Sequence, residues 1–245
     1  MQELTTKTIR EIAIEMPVTT RVFEELKIDY CCGGRRNFNE ACTVAGVSPS
    51  IVSAKISAVL KDAANGQKID SVEKKSPSQL VDYIVEKHHL FTRQEIGRLT
   101  TLIEKVCHKH GDRNPELLEL RRVFRILFDD LTVHMRKEEF ILFPYIKNLE
   151  ASQKNHSFVP YPHFGTVQNP VRMMMTEHDT ASDFLKEMRQ ITDDYTAPEN
   201  ACPSFKSLYF GLQELEKDLH RHIHLENNIL FPLAIELEQK VFFGH

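Results

Sequence analysis

Two stretches decide the fold. His134-Met135-Arg136-Lys137-Glu138-Glu139-Phe140-Ile141-Leu142-Phe143-Pro144 and His222-Ile223-His224-Leu225-Glu226-Asn227-Asn228-Ile229-Leu230-Phe231-Pro232 both read H-x-x-x-E-x-x-I-L-F-P, with six identities in eleven positions and no gap. They stand 88 residues apart (134 to 222). One helix earlier in each half a histidine recurs at nearly the same offset, His89 in VEKHHLF and His178 in MTEHDTA, 89 residues apart (89 to 178). Each half is therefore a helix with one histidine followed by a helix with His-x-x-x-Glu. That is a duplicated helical hairpin, and two such hairpins make an all-α, up-down four-helix bundle.

The rest of the chain fits around this repeat. Segments 78–107, 116–143, 170–193 and 204–231 read as the four long helices; in the second, Val123, Leu127, Leu131, His134 and Glu138 recur at helical spacing. Residues 151–169, with Pro160 and Pro162 inside and Pro170 just after, read as a loop. Ser76-Pro77-Ser78-Gln79 carries a helix-start signature of cap serine, first-turn proline and a glutamine reaching back. Ahead of it, residues 7–26 read as one or two short helices jointed at Pro17, Tyr30 to Arg36 as a glycine-containing turn, and 39–45 and 49–64 as further helices. The polar stretch 65–75, NGQKIDSVEKK, reads as a linker. The expected organisation is a small helical domain at 1–64, a linker at 65–75 and the bundle at 76–245.

Composition narrows the function. Net charge is −4, from 31 basic and 35 acidic residues, so there is no basic excess for nucleic acid. No apolar run approaches the roughly 18 residues of a membrane span, and Glu11 and Glu15 interrupt the apolar residues of the N-terminus, so a cytoplasmic address without membrane partners is expected. Five cysteines at irregular spacing do not form a secreted disulfide framework. Three of them lie in the first 42 residues, whereas the twelve histidines begin only at His88, which separates two chemistries along the chain.

Residues four apart on a helix share a face, so His134 with Glu138, and His222 with Glu226, reach one site each. The duplication supplies four imidazoles and two carboxylates, a mixed nitrogen and oxygen set that suits a pair of first-row ions, iron or manganese before zinc. A lone histidine or a single H-x-x-x-E is more often an ordinary core or boundary feature; the paired occurrence, with partner histidines preserved, is what argues for metal. Glu139, Glu177 and Asp179 are candidate partners for the ligand histidines. The I-L-F-P tail reads as packing followed by a proline that ends or kinks the helix, and Met173-Met174-Met175 as core filling.

At this point the chain resembles the iron–sulfur cluster repair di-iron proteins, the repair-of-iron-centres family. The resemblance rests on Ile28-Asp29-Tyr30-Cys31-Cys32-Gly33-Gly34 in the small domain and on the two strings around Glu138 and Glu226 in a hemerythrin-like bundle. It implies two non-haem iron ions held by His89, His134, Glu138, His178, His222 and Glu226, with both glutamates bridging, and it favours His89 over His88. A further family histidine falls near His110; His156 and His163 read as residues of the 151–169 loop, longer here than in the family. The implied function is repair of iron–sulfur clusters damaged in nitrosative or oxidative stress, by iron donation rather than conventional enzymology, with damaged iron–sulfur proteins as partners. The alternative is binding, sensing or reduction of nitric oxide or oxygen at the same centre. Monomer and homodimer both remain open.

Cys31 and Cys32 are adjacent, so a bridge between them would be strained, and nearby Arg35 and Arg36 are expected to favour thiolate. The resemblance makes the pair a redox or metal relay rather than two ordinary loop thiols; Cys42, Cys107 and Cys202 read as buried or incidental.

Overall fold

The computed structural model describes residues 2–64 and 72–244. Every regular element among the described residues is a helix, apart from one isolated bridge between Thr8 and Asn37. The chain divides into two compact units, Met1–Leu80 with His220–His245, and Val81–Leu219.

In the first unit α1 (Ile9–Glu15) opens with a capping box: Glu11 N donates to Thr8 Oγ1 at 3.2 Å, and Thr8 N donates to the Glu11 carboxylate at 2.7 Å. Pro17 starts a tight 3-10 turn, and α2 (Thr20–Glu25) follows. The chain turns through the left-handed Lys27, and α3 (Phe38–Val44) is capped by Asn37, which accepts from Glu40 N at 2.9 Å. With α4 (Pro49–Ala64) these helices bury Ile9, Ile12, Phe23, Phe38, Val52 and Ile56 as one core. Residues 65–71 of the stretch read as a linker lie outside the described residues. Its end, Val72–Lys74, is a 3-10 turn with Val72 buried and Glu73 paired with Arg221.

Four long helical runs follow. α5 (77–110) starts on the capping box anticipated at Ser76 and Gln79, and is α-helical over Pro77–Tyr83, π-helical over Ile84–His89 and α-helical again over Leu90–His110. α6 (116–155) comprises Glu116–Lys137, a π turn at Glu138–Leu142, and Phe143–Asn155. α7 is Gln168–Ile191. α8 (203–243) comprises Pro203–Leu225, a π turn at Glu226–Leu230, and Phe231–Phe243. In the second unit all four contribute to one leucine-rich core, including Leu99 and Ile103 from α5, Leu120 and Leu127 from α6, Leu185 from α7 and Leu212 from α8. The spacing of three and four between buried positions is what turns one face of each helix inward. The expected all-α bundle is therefore the observed one. Among the described residues no single helix is long and apolar enough to cross a membrane.

Three details depart from expectation. The prolines of the repeat do not end their helices. Phe143 N–H donates to Glu138 O and Phe231 N–H to Glu226 O, five residues back instead of four. The residue after each is a proline with no N–H to give and a ring that crowds the preceding turn; the wider π turn absorbs both and the helix continues. Consequently α6 runs to Asn155 and shortens the expected 151–169 loop to 156–167, and α8 runs to Phe243. Of the methionine run only Met174 is core; Met173 is 54% exposed.

Because Pro144 follows a π turn that begins on Glu138, Pro144→Ala, which restores a backbone N–H, should let the helix close to ordinary α geometry and swing the carboxylate off its position. Circular dichroism is expected to show unchanged helix content while iron content falls. Wild-type iron content in the variant would separate the π turn from the site.

Candidate metal centre

In the second unit, α5 brings His89, α6 brings His134 and Glu138, and α7 brings His178; all four are at most 3% exposed. Glu138 presents its two oxygens to different imidazoles. Nε2 of His89 lies 3.4 Å from Oε2, and Nε2 of His134 lies 3.3 Å from Oε1. Nε2 of His178 lies 3.0 Å from Nε2 of His134. Ligand atoms each about 2.1 Å from one ion stand roughly 3.0–3.4 Å apart, so these separations are those of neighbours around a cation. His134, Glu138 and His178 each offer an atom within 4.8 Å of the others.

The far sides of the rings explain which nitrogen faces inward. Nδ1 of His89 donates to Glu139 at 2.6 Å, and Nδ1 of His134 donates to Glu177 at 2.8 Å. Each bond fixes the tautomer and leaves Nε2 with its lone pair directed at Glu138. Glu139 is also held by Arg93 at 2.6 Å, and Glu177 by Lys137. Burial pushes Glu139 up, but hydrogen bonds from His89 and Arg93 outweigh it and hold the carboxylate below its ordinary range. Glu177 is held down chiefly by the His134 hydrogen bond, against partial burial and with help from Lys137. Both therefore stay ionised. Asp179, the third candidate partner, is exposed. The ring of Phe143 stacks on His89 with centroids 5.7 Å apart, which gives the phenylalanine of the repeat its place. A buried carboxylate facing imidazole lone pairs is a costly arrangement unless a cation lies among them, so the donor set fits a metal. A cavity of about 330 Å³, lined among others by Leu131, His134, Lys137, Glu177 and His178, gives small molecules an approach to this cluster.

In the first unit the second copy of the motif repeats the pairing. His222 Nε2 and Glu226 Oε1 are 2.9 Å apart, and both residues are buried. The π turn that begins at Glu226 is covered by the cysteine loop. The amide nitrogen of Asn228 lies 3.0 Å from Tyr30 O, 3.3 Å from Cys31 O and 3.0 Å from His224 Nδ1. Burial, then the charge of Arg221, lowers His224 to about 3, so its ring is neutral. The position of Asn228 in the first copy is Phe140, which is 73% exposed. Neither His224 nor Asn228 was singled out from the sequence; the break in the repeat at Phe140 and Asn228 was the available signal.

Cys31 and Cys32 are unbridged thiols, the first buried and the second half-buried. The expectation that Arg35 and Arg36 hold the pair as thiolate is not met at Cys31. Its hydrogen bond with Cys32, then burial, then the charges of Asp29 and Glu24 push that thiol up. The other histidines lie elsewhere. His88 pairs with Asp218 at 3.0 Å. His110 is 21 residues beyond His89 (89 to 110), roughly 30 Å along α5 at about 1.5 Å per residue, and contacts Cys202 Sγ at 3.2 Å. His156, at a left-handed helix end, and His163, against Phe164, are exposed loop residues. Cys42 and Cys107 are core residues of their units.

The model of the hemerythrin HHE cation binding domain matches residues 80–234, a span that contains all six anticipated ligands, and a domain of unknown function named ScdA_N matches residues 5–60. The chain belongs to the hemerythrin HHE cation-binding family. Across nearly its full length it is similar to proteins called iron–sulfur cluster repair protein YtfE. That of Yersinia pseudotuberculosis serotype O:1b (strain IP 31758) is 31% identical over 93% of this chain and 96% of the relative. That of Dickeya chrysanthemi (strain Ech1591) is 32% identical over 95% and 98%. A probable iron–sulfur cluster repair protein of Haemophilus influenzae is 32% identical over 93% and 96%.

Glu139 and Glu177 reach the cluster by hydrogen bonds to His89 and His134. Glu139→Ala and Glu177→Ala should each lower iron affinity about 10–100-fold, measured by competition with a chelator. Affinities unchanged from wild type would reduce the two carboxylates to helix-surface ion pairs.

Proposed function

We propose that His89, His134, Glu138, His178, His222 and Glu226 hold two non-haem iron ions, and that the chain restores damaged iron–sulfur clusters by giving up iron. The observation that carries this reading is Glu138, with one imidazole on each carboxylate oxygen, as a bridging ligand requires. The single cation-binding match across all six residues supports treating them as one set, and the names of the similar proteins support the repair role. When bound, the iron pair would supply labile, carboxylate-held iron(II) and a redox-active centre.

The protein's own part is positional. Glu139 and Glu177 orient His89 and His134; the complete burial of Glu138 keeps bulk water from its carboxylate; the leucine core from Leu99 to Leu131 holds the helices rigid beneath it. Glu138 and Glu226 would hold the iron through carboxylates, labile oxygen ligands that suit a site that must release its cargo. The Lys137–Glu177 pair lines the cavity to His134 and His178 and occupies the way out. Cys31 and Cys32 serve as the redox or metal relay. The functional division falls at 1–64 and 76–245, on either side of 65–75, and damaged iron–sulfur proteins of the cytoplasm under nitrosative or oxidative stress are the partners.

Glu138→Leu and Glu226→Leu should each lower bound iron well below two per chain, since losing a ligand costs at least the tenfold or more typical of losing a ligand's partner. Metal analysis of the two purified variants checks it, and full iron content in both would remove the assignment. In parallel, iron-loaded protein is mixed with a nitric-oxide-damaged cluster enzyme. Recovery of that enzyme with wild type and its loss with Glu138→Leu is expected; nitrous oxide production without recovery would place the chemistry at nitric oxide instead. Replacing both Cys31 and Cys32 by alanine should leave iron content intact and impair recovery.

A further inference from the structure

Asp29, Cys31 and Cys32 converge. One oxygen of Asp29 and the two sulfurs lie within 4.8 Å of one another. Asp29 Oδ1 is 3.5 Å from Cys31 Sγ and accepts from Cys32 N at 2.9 Å. An aspartate that closes a turn onto a backbone N–H is a common motif. It accounts for that one bond, not for two thiols gathered on the same carboxylate.

The loop is built to hold this arrangement. A side chain at Gly33 would come within 2.4 Å of Arg36 Nη1 and 3.0 Å of Asp29 Oδ2, and one at Gly34 within 2.7 Å of Tyr30 O. The two glycines therefore let the chain fold back over the carboxylate. From the other side Asn228, two residues beyond Glu226, fixes the carbonyls of Tyr30 and Cys31. Cys31 is buried while Cys32 is partly open, which leaves one side of the group accessible.

We propose that Asp29, Cys31 and Cys32 form a three-ligand binding site for a divalent first-row cation, iron(II) in transit. This rests on the iron-donation reading above. Two sulfurs and one oxygen suit a borderline ion such as iron(II) or zinc(II) better than calcium or magnesium. Three protein ligands leave a fourth position for an incoming donor or acceptor group, as sites that exchange ligands require. Binding is a proton-for-metal exchange without redox change: the cation takes up two thiolates, and their two protons pass to solvent.

The test uses the full-length, iron-loaded protein under anaerobic conditions, titrated with cobalt(II). One equivalent should bind with a thiolate-to-cobalt charge-transfer absorption. Cys31→Ser and Cys32→Ser should each abolish the absorption, and Asp29→Asn, which keeps an oxygen for the Cys32 N–H, should weaken cobalt binding at least tenfold. Bundle iron content and circular dichroism should stay at wild-type values in all three. No thiolate band in the wild type, or cobalt affinity in Asp29→Asn within twofold of it, would overturn the site. Cluster repair assayed on the same variants separates the two readings. A cobalt band together with undiminished repair by Asp29→Asn would overturn transit through the site, whereas loss of iron from Glu138→Leu bears on the bundle alone.

Discussion

The structure depends on one buried carboxylate. Glu138 is fully buried, and Nε2 of His89 and of His134 each lie close to one of its two oxygens. A carboxylate in such a place is tolerated only with positive charge close by, and every neighbour is arranged to put a cation there rather than a proton. Glu139 and Glu177 keep hydrogen on the outer nitrogens of His89 and His134, and are themselves kept ionised by those histidines with Arg93 and Lys137. Phe143 stacks on His89, and Pro144 follows the wide turn that starts on Glu138 itself. The leucine layers below add rigidity but no polar atom. The bundle is thus apolar where it needs only to pack and polar where it must hold charge.

How much of this was legible in the sequence follows from what sequence periodicity encodes. Residues four apart on a helix leave a spacing that survives in the chain, and duplication repeated it, so the contacts His134–Glu138 and His222–Glu226 could be expected from spacing and the burial of His89 and His178 from offset. Contacts that depend on a chain reversal leave no spacing. Asn228 reaches Tyr30 and Cys31 across almost two hundred residues, and nothing local to either marks it. The thiol state of Cys31 was misread for the same reason: adjacent arginines are visible in the sequence, whereas the burial and the Asp29 and Glu24 charges that outweigh them come from folding. The prolines were misread because a proline ordinarily ends a helix, and a π turn that lets it continue has no separate signature. Met173 shows that three consecutive residues cannot share one helical face.

The two copies of the repeat have diverged where their surroundings differ. Phe140 and Asn228 occupy the same motif position; the phenylalanine is exposed and the asparagine is buried under the cysteine loop. Glu139 and Asn227 likewise exchange a carboxylate for an amide. The H-x-x-x-E pair is retained in both copies while the flanking residues change role. In the first unit that need is to seat the cysteine loop: His220 pairs with Glu24, Arg221 with Glu73, and Asn228 with the loop carbonyls, all within one helical stretch around His222 and Glu226. The compact unit therefore joins Met1–Leu80 to His220–His245, although the family matches divide the chain at residues 60 and 80. Homology and packing draw different boundaries here because the segment that carries His222 and Glu226, inside the cation-binding match, also holds the cysteine loop. The carbonyls of Tyr30 and Cys31 are held by Asn228, two residues beyond Glu226, so the cysteine loop and the turn that begins on Glu226 are fixed against each other.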